Sequence, residues 1–148
     1  MADEIIVERT LNASRQAVYD AIVTADSFRV WFGTDAVAVP REEMTWDARV
    51  GGQWTAVMHL PDGEKKHWAG EFAELVEPTR VVLLITDEPE SPDRLAVSFD
   101  LDELSDAETR LVLHQPTPGW PAEAQEGLRA GYNAFIDSMQ RLLAVEIS

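Results

Sequence analysis

Between Pro121 and Val145 the chain carries a single apolar stripe. Leu128, Tyr132, Phe135, Met139 and Leu142 recur at three- and four-residue steps, with Ile136 and Leu143 beside them. The spacing predicts a helix of roughly 24 residues, about 36 Å long at 1.5 Å per residue. Pro121 suits its first turn, where a missing N–H costs nothing. Glu123 and Glu126 match the positive end of the helix, and Arg141 the negative end. Such a helix is unstable alone in water and needs an apolar surface of matching length. Gly127 and Gly131 interrupt it at about 1 kcal/mol each relative to alanine, which predicts that another backbone approaches there.

The preceding residues supply that surface. Residues 4–11 alternate, with Ile5, Val7 and Arg9 on one face and Ile6, Glu8 and Thr10 on the other. Ser14 is placed to cap a short helix ending near Ile22. A second short helix starts around Thr24 to Asp26, carries Phe28, Trp31 and Phe32, and stops at Gly33. Strands are then expected at residues 36–39, 53–60, 66–76, 81–86, 95–104 and 109–115. Pro61-Asp62-Gly63 and Glu77-Pro78 are turn signatures, and the polar residues 87–93 form a loop. Leu95, Val97, Phe99 and Leu101 alternate with Ala96, Ser98, Asp100 and Asp102, one set inward and one outward. Short links make neighbouring strands antiparallel. The expected fold is α+β: a seven-stranded curved antiparallel sheet wrapped around the long C-terminal helix, with the two short helices closing one end. A single domain over residues 1–148 is expected, without linker or repeat.

Composition narrows the function classes. The formal net charge of −15 argues against partners that present phosphate, whether nucleic acid or an anionic membrane. The absence of cysteine removes disulfides, a thiolate nucleophile and cysteine-bound metal. The acidic start lacks a signal-peptide pattern and no apolar run reaches 18 residues, so the expected setting is the cytoplasm.

No catalytic set emerges. His59, His67 and His114 have no metal-ligand spacing, so neither a metal nor another cofactor is expected. His59 and His67 flank the 61–63 turn and could face one another across a hairpin; solvent-facing strand residues are the expected reading. Leu111, Leu113 and Gln115 inward place His114 outward. There is no Gly-x-Ser-x-Gly elbow, and Gly51-Gly52 lacks the lysine and the strand–helix context of a phosphate loop. Glu42-Glu43 and Asp102-Glu103 read as solvated pairs.

Several short motifs occur in a fixed order: Trp31-Phe32-Gly33, Val50-Gly51-Gly52-Gln53-Trp54, Pro61-Asp62-Gly63, Gly70-Glu71-Phe72, Glu77-Pro78-Thr79-Arg80-Val81 and Glu108-Thr109-Arg110-Leu111. Together, from about Ile5 to Leu143, they resemble the START-like (SRPBCC) superfamily, in the branch named for the C-terminal domain of the activator of heat-shock-protein-90 ATPase. The resemblance implies the helix-grip fold. Members usually carry a Gly-Trp pair in the last helix, where this chain has Gly131-Tyr132. They often close the last strand with histidine, where this chain has Gln115, so an activity using that histidine is not implied.

The aromatic residues then point to a function. Five tryptophans in 148 residues are a large apolar payload, and a curled sheet gripping one helix tends to leave a cavity at one end. The expected ligand-binding residues are Trp31, Trp46, Trp54, Met58, Trp68, Phe72, Phe99, Gln115, Leu128, Tyr132 and Phe135, with Gln53 and Arg129 as further polar groups. The first expectation is binding of a small hydrophobic molecule between sheet and helix. The alternatives are a module acting on a chaperone or another protein, as the family's name suggests, and a cyclase- or hydrolase-like enzyme of the same superfamily.

Overall fold

The computed structural model describes residues 4–33 and 37–147, with the backbone alone for 145–147. The chain opens with β1 (Glu4–Leu11), α1 (Arg15–Val23) and α2 (Ala25–Gly33). A single 3-10 turn, Arg41–Glu43, leads to β2 (Thr45–Trp46). The meander β3 (Gln53–His59), β4 (Lys65–Val76), β5 (Arg80–Thr86), β6 (Leu95–Ser105) and β7 (Glu108–Pro116) follows, and α3 (Ala122–Ile147) ends the chain. All pairings are antiparallel, in the order β1-β7-β6-β5-β4-β3-β2. The curved sheet, the three helices and the long C-terminal helix make the α+β helix-grip fold.

Local chemistry explains the elements. The Ser14 hydroxyl accepts from the Ala17 N–H at 3.2 Å and so satisfies one of the free amides that open α1. Its C-terminal carbonyls are met by indoles: Trp31 Nε1 donates to Ala21 O and Trp46 Nε1 to Val23 O, both at 2.8 Å. Two tryptophans thus pin α1 while burying their rings. Alternation along β1 buries Ile5, Val7 and Leu11, and along β7 Leu111, Leu113 and Gln115, as the two-residue period requires.

One strand lies elsewhere than its composition suggests. Of residues 36–39, position 36 falls outside the described residues, and Ala38 makes only an isolated bridge to His59. Pro40 and the 3-10 turn divert the backbone there. The strand that completes the sheet is Thr45–Trp46, held to β3 by the Thr45 and Thr55 hydroxyls 2.8 Å apart and by Trp46 lying 6.0 Å from Trp54. Its two residues are too few for any periodicity to show.

The core lies between the concave face of the sheet and the helices. At its β2–β3 end, Phe28 is the hub. Its ring lies 4.7 Å from Phe32, 4.8 Å from Trp31 and from Trp46, and 5.4 Å from Trp54. Across β3 and β4, Trp54 faces Gly70, where an added Cβ would run into both the Leu84 carbonyl oxygen and the indole. Only glycine lets that tryptophan lie flat against the sheet. At the other end, α3 is laced to the edge strand β1. Arg129 donates to the Ile6 carbonyl at 2.9 Å, Arg9 reaches Asn133 at 3.2 Å and Asp137 at 2.6 Å, and the Asn12 N–H donates to Gln140 at 3.0 Å. The helix thereby covers part of an edge that would otherwise be free to pair.

Candidate functional site

Lacing α3 to β1 sets its N-terminal half at a distance from β4, β5 and β6. The helix carries no bulk to fill the gap, since Gly127 and Gly131 both border it. A Cβ built at either glycine meets nothing within 4 Å. The expectation that a backbone approaches them is therefore corrected: the two glycines keep a space open.

That space is a cavity of about 390 Å³. Its walls are Phe32 of α2, Trp68 of β4, Ile85 of β5, Leu95 of β6, and Leu128 and Phe135 of α3. Tyr132 and Gln115 supply a polar patch. They are 7% and 3% exposed, and the phenol donates to Gln115 Oε1. Burial pushes the Tyr132 phenol up from its ordinary value, so it stays protonated at any physiological pH. Trp68 lines the space with its ring, and its Nε1 is buried without a hydrogen-bond partner.

The rim is charged but balanced. Lys66, Asp87, Asp93 and Arg94 stand around the opening together with Trp120. The Lys66 ammonium sits 3.3 Å from Asp87 and 4.9 Å above the centre of the Trp68 ring. Arg94 Nη1 donates to the Ser91 carbonyl at 2.9 Å. A much smaller apolar space of about 20 Å³ lies deeper, between Trp31, Leu83, Val97 and Phe99, and shares Phe32, Ile85, Tyr132 and Phe135 with the main one.

The family model of the activator of Hsp90 ATPase homolog 1-like protein matches residues 12–144. The chain belongs to that family. A solved structure of a protein from Nitrosomonas europaea has TM-score 0.83 at 21% identity, covering 97% of this chain and 95% of that one. One from Chromobacterium violaceum has TM-score 0.80 at 22% identity, covering 97% and 98%. A solution structure of the AHSA1-like protein from Aeromonas hydrophila has TM-score 0.77 at 19% identity, covering 97% and 93%. No curated protein matches the chain. Similarity at these identities speaks for the fold, and membership supports a ligand-binding or interaction module in general terms.

The residues singled out from the sequence divide sharply. Trp68, Gln115, Leu128, Tyr132 and Phe135 meet at the 390 Å³ cavity, and Trp31 and Phe99 border the small deeper space. Trp46, Trp54, Met58 and Phe72 do not reach either one. Trp54 and Phe72 are fully buried and Met58 nearly so, and Trp46 packs 5.1 Å from Phe72, all in the closed aromatic core at the β2–β3 end. Gln53 is exposed, opposite Glu71 on the neighbouring strand. Arg129 serves the β1 edge instead of the cavity. Phe32, Ile85, Leu95, Trp120 and the four rim charges were missed. Their position depends on where the β5–β6 loop and the turn before α3 fold back, which no local pattern encodes. The glycine pair was the available signal.

The histidines are placed singly. His59 opposes Lys65 and His67 opposes Val57, so the two are diagonal neighbours and not a facing pair. His59 Nε2 lies 2.7 Å from Glu43, and His114 Nε2 lies 2.8 Å from Glu4. Among the described residues no group of three or more His, Cys, Asp or Glu gathers as a metal site. Nor is any described helix long and apolar enough to cross a membrane. Of the acidic pairs, Glu43 holds His59, Asp102 lies 3.1 Å from Arg110 and Glu103 lies 3.4 Å from Arg15.

Proposed function

We propose that the chain is a single binding domain over residues 1–148, acting in the cytoplasm, that holds a small hydrophobic ligand between the curved sheet and α3. The observation that carries this reading is the 390 Å³ cavity, apolar on most of its wall, with one buried polar patch at Gln115 and Tyr132. Cavities of this size, mostly apolar and with few convergent polar groups, are the usual form of small-molecule sites. Filling is driven by apolar burial at about 25 cal/mol per Å². A ligand that binds only the folded chain raises its melting temperature by mass action.

The test is a melting-temperature screen of apolar compounds on the natural chain and on Gly131→Leu. The new side chain is directed into the cavity, where a Cβ meets nothing within 4 Å. Compounds that stabilise the natural chain and not the variant support the reading. If no compound shifts the natural chain, the reading fails.

A second reading rests on the family's name, that of a protein acting on the heat-shock-protein-90 ATPase. It separates cleanly from the first. Binding to a chaperone would survive Gly131→Leu, because the substitution fills an interior space and leaves the outer surface intact.

A further inference from the structure

We infer that the N-terminal part of α3, residues 122–131, is the movable wall of the cavity, through which a ligand enters and leaves, and that the Arg129–Ile6 hydrogen bond is the latch that keeps it shut. The inference rests on the binding reading above and concerns how the site is reached.

The helix is held unevenly along its length. Within residues 122–131 no side chain is buried, and half-buried Leu128 is the one that packs against the core. Beyond them Tyr132, Ile136, Ser138, Met139 and Leu143 are all buried. The polar ties divide in the same way. Asn133 and Asp137 hold Arg9, Gln140 holds the Asn12 N–H, and Ser138 donates to the Val30 carbonyl at 3.4 Å. Among the described residues, the hydrogen bond from 122–131 to the sheet is Arg129 Nη1 to the Ile6 carbonyl, at 2.9 Å. Gln125 bonds the Trp120 carbonyl just before the helix and Glu126 pairs with Arg129 within it, so neither ties the segment down. Gly127 and Gly131 weaken the helix from inside. A segment with so little buried apolar contact opens locally at low free energy. What opens is cavity wall, since Gly127, Leu128 and Gly131 border the space. The mouth is ringed by Lys66, Asp87, Asp93 and Arg94, whose hydration an apolar body must disturb; the lifted helix offers Leu128 and two glycines instead.

Amide exchange of the empty chain, followed by NMR, tests the motion. Amides of residues 127–132 should be protected at least about tenfold less than those of 136–143, which open only with the whole domain. Arg129→Ala removes the latch without touching the cavity wall. It should speed exchange at 127–132 by roughly three- to tenfold, the change a net hydrogen bond produces. Gln140→Ala cuts a tie of the other half and should leave that exchange unchanged. Stopped-flow fluorescence with N-phenyl-1-naphthylamine, a neutral apolar probe that brightens on burial, then tests the passage. While the open form stays a minority, Arg129→Ala should speed association and dissociation equally, by roughly three- to tenfold, and leave Kd within about twofold. If this probe does not bind but compounds of the melting screen do, their rates are read by tryptophan emission against the same expectation. Even protection along α3, exchange indifferent to Arg129→Ala, or an equal rise with Gln140→Ala overturns the inference whatever binds. If the segment opens but neither rate responds, the ligand passes at the charged mouth, and the inference falls while the binding reading stands. If nothing binds at all, the binding reading goes and this inference goes with it.

Discussion

The two glycines of α3 are where a single residue says most about the cavity. Neither needs a positive φ, and neither has a neighbour within reach of a Cβ. Gly127→Ala should therefore raise stability by about 1 kcal/mol, the helix-propensity difference, measured by urea denaturation. A loss would mean that the helix backbone there is not free to take a side chain. Tyr132→Phe acts in the opposite direction. It leaves Gln115 Oε1 buried without its donor and should cost about 1–3 kcal/mol. Tyr132 also sets an alkaline limit. Its folded pKa lies above the ordinary value of 10.0, so its contribution is fully present below pH 10. It is lost as pH rises beyond that, because the unfolded chain ionises first. In the natural chain the decline should begin near pH 10, and in Tyr132→Phe this component should be missing. Both of these residues were visible in the sequence as departures, tyrosine for the family's tryptophan and glutamine for its histidine. That they are each other's hydrogen-bond partner was not visible, because 17 residues and a turn separate them.

Elements were more legible than their exact facing. The long helix follows from its stripe, and the β3–β7 meander from alternation and turn chemistry. The stripe is rotated, however. Ile136, Met139 and Leu143 are the fully buried positions, whereas Phe135 is only half-buried because it borders the cavity. Periodicity identifies a helix face to within about one residue step, and which side meets solid core depends on how β1 holds α3. Ile136→Ala should then cost about 2–5 kcal/mol. Phe135→Ala should cost less than Phe28→Ala, whose ring is enclosed by four other aromatics. Thermal melts of the three variants check the ranking; a larger loss at Phe135 than at Phe28 would place the core on the wrong face. The short strand β2 escaped because nothing in two residues distinguishes a strand from a loop.

At the scale of the whole molecule, electrostatics opposes compactness. The described ion pairs are mostly exposed, each worth about 0–1 kcal/mol, while the net charge of −15 repels itself across the surface. Screening should relieve more repulsion than it removes attraction. The melting temperature is expected to rise between about 10 mM and about 500 mM of a neutral salt, and a fall would show that the pairs dominate. Acid acts through specific groups as well. The His59 bond and charge hold the Glu43 carboxyl below its ordinary value of 4.5. Its contribution is present above that pH and lost as pH falls through the lower folded value. Glu43→Gln should flatten the acid limb of the stability curve. The net repulsion follows from composition alone, whereas the His59–Glu43 contact exists only in the fold.

The placement of β1 beside β7 also has a consequence in time. Thr109 Oγ1 bonds the Ala13 carbonyl at 2.9 Å across 96 residues of chain, and β1 pairs with β7 along its whole length. On the ribosome, the first strand emerges long before its neighbour exists. At roughly 5–20 residues per second it waits some 5–20 s, with the aromatic faces of α1 and α2 uncovered. The nascent chain has no intermediate stopping point at which its apolar surface is closed, since the sheet lacks one edge until β7 appears and lacks its cover until α3 follows. Closure of this fold is therefore expected to be a late, collective step that waits for β7 and α3.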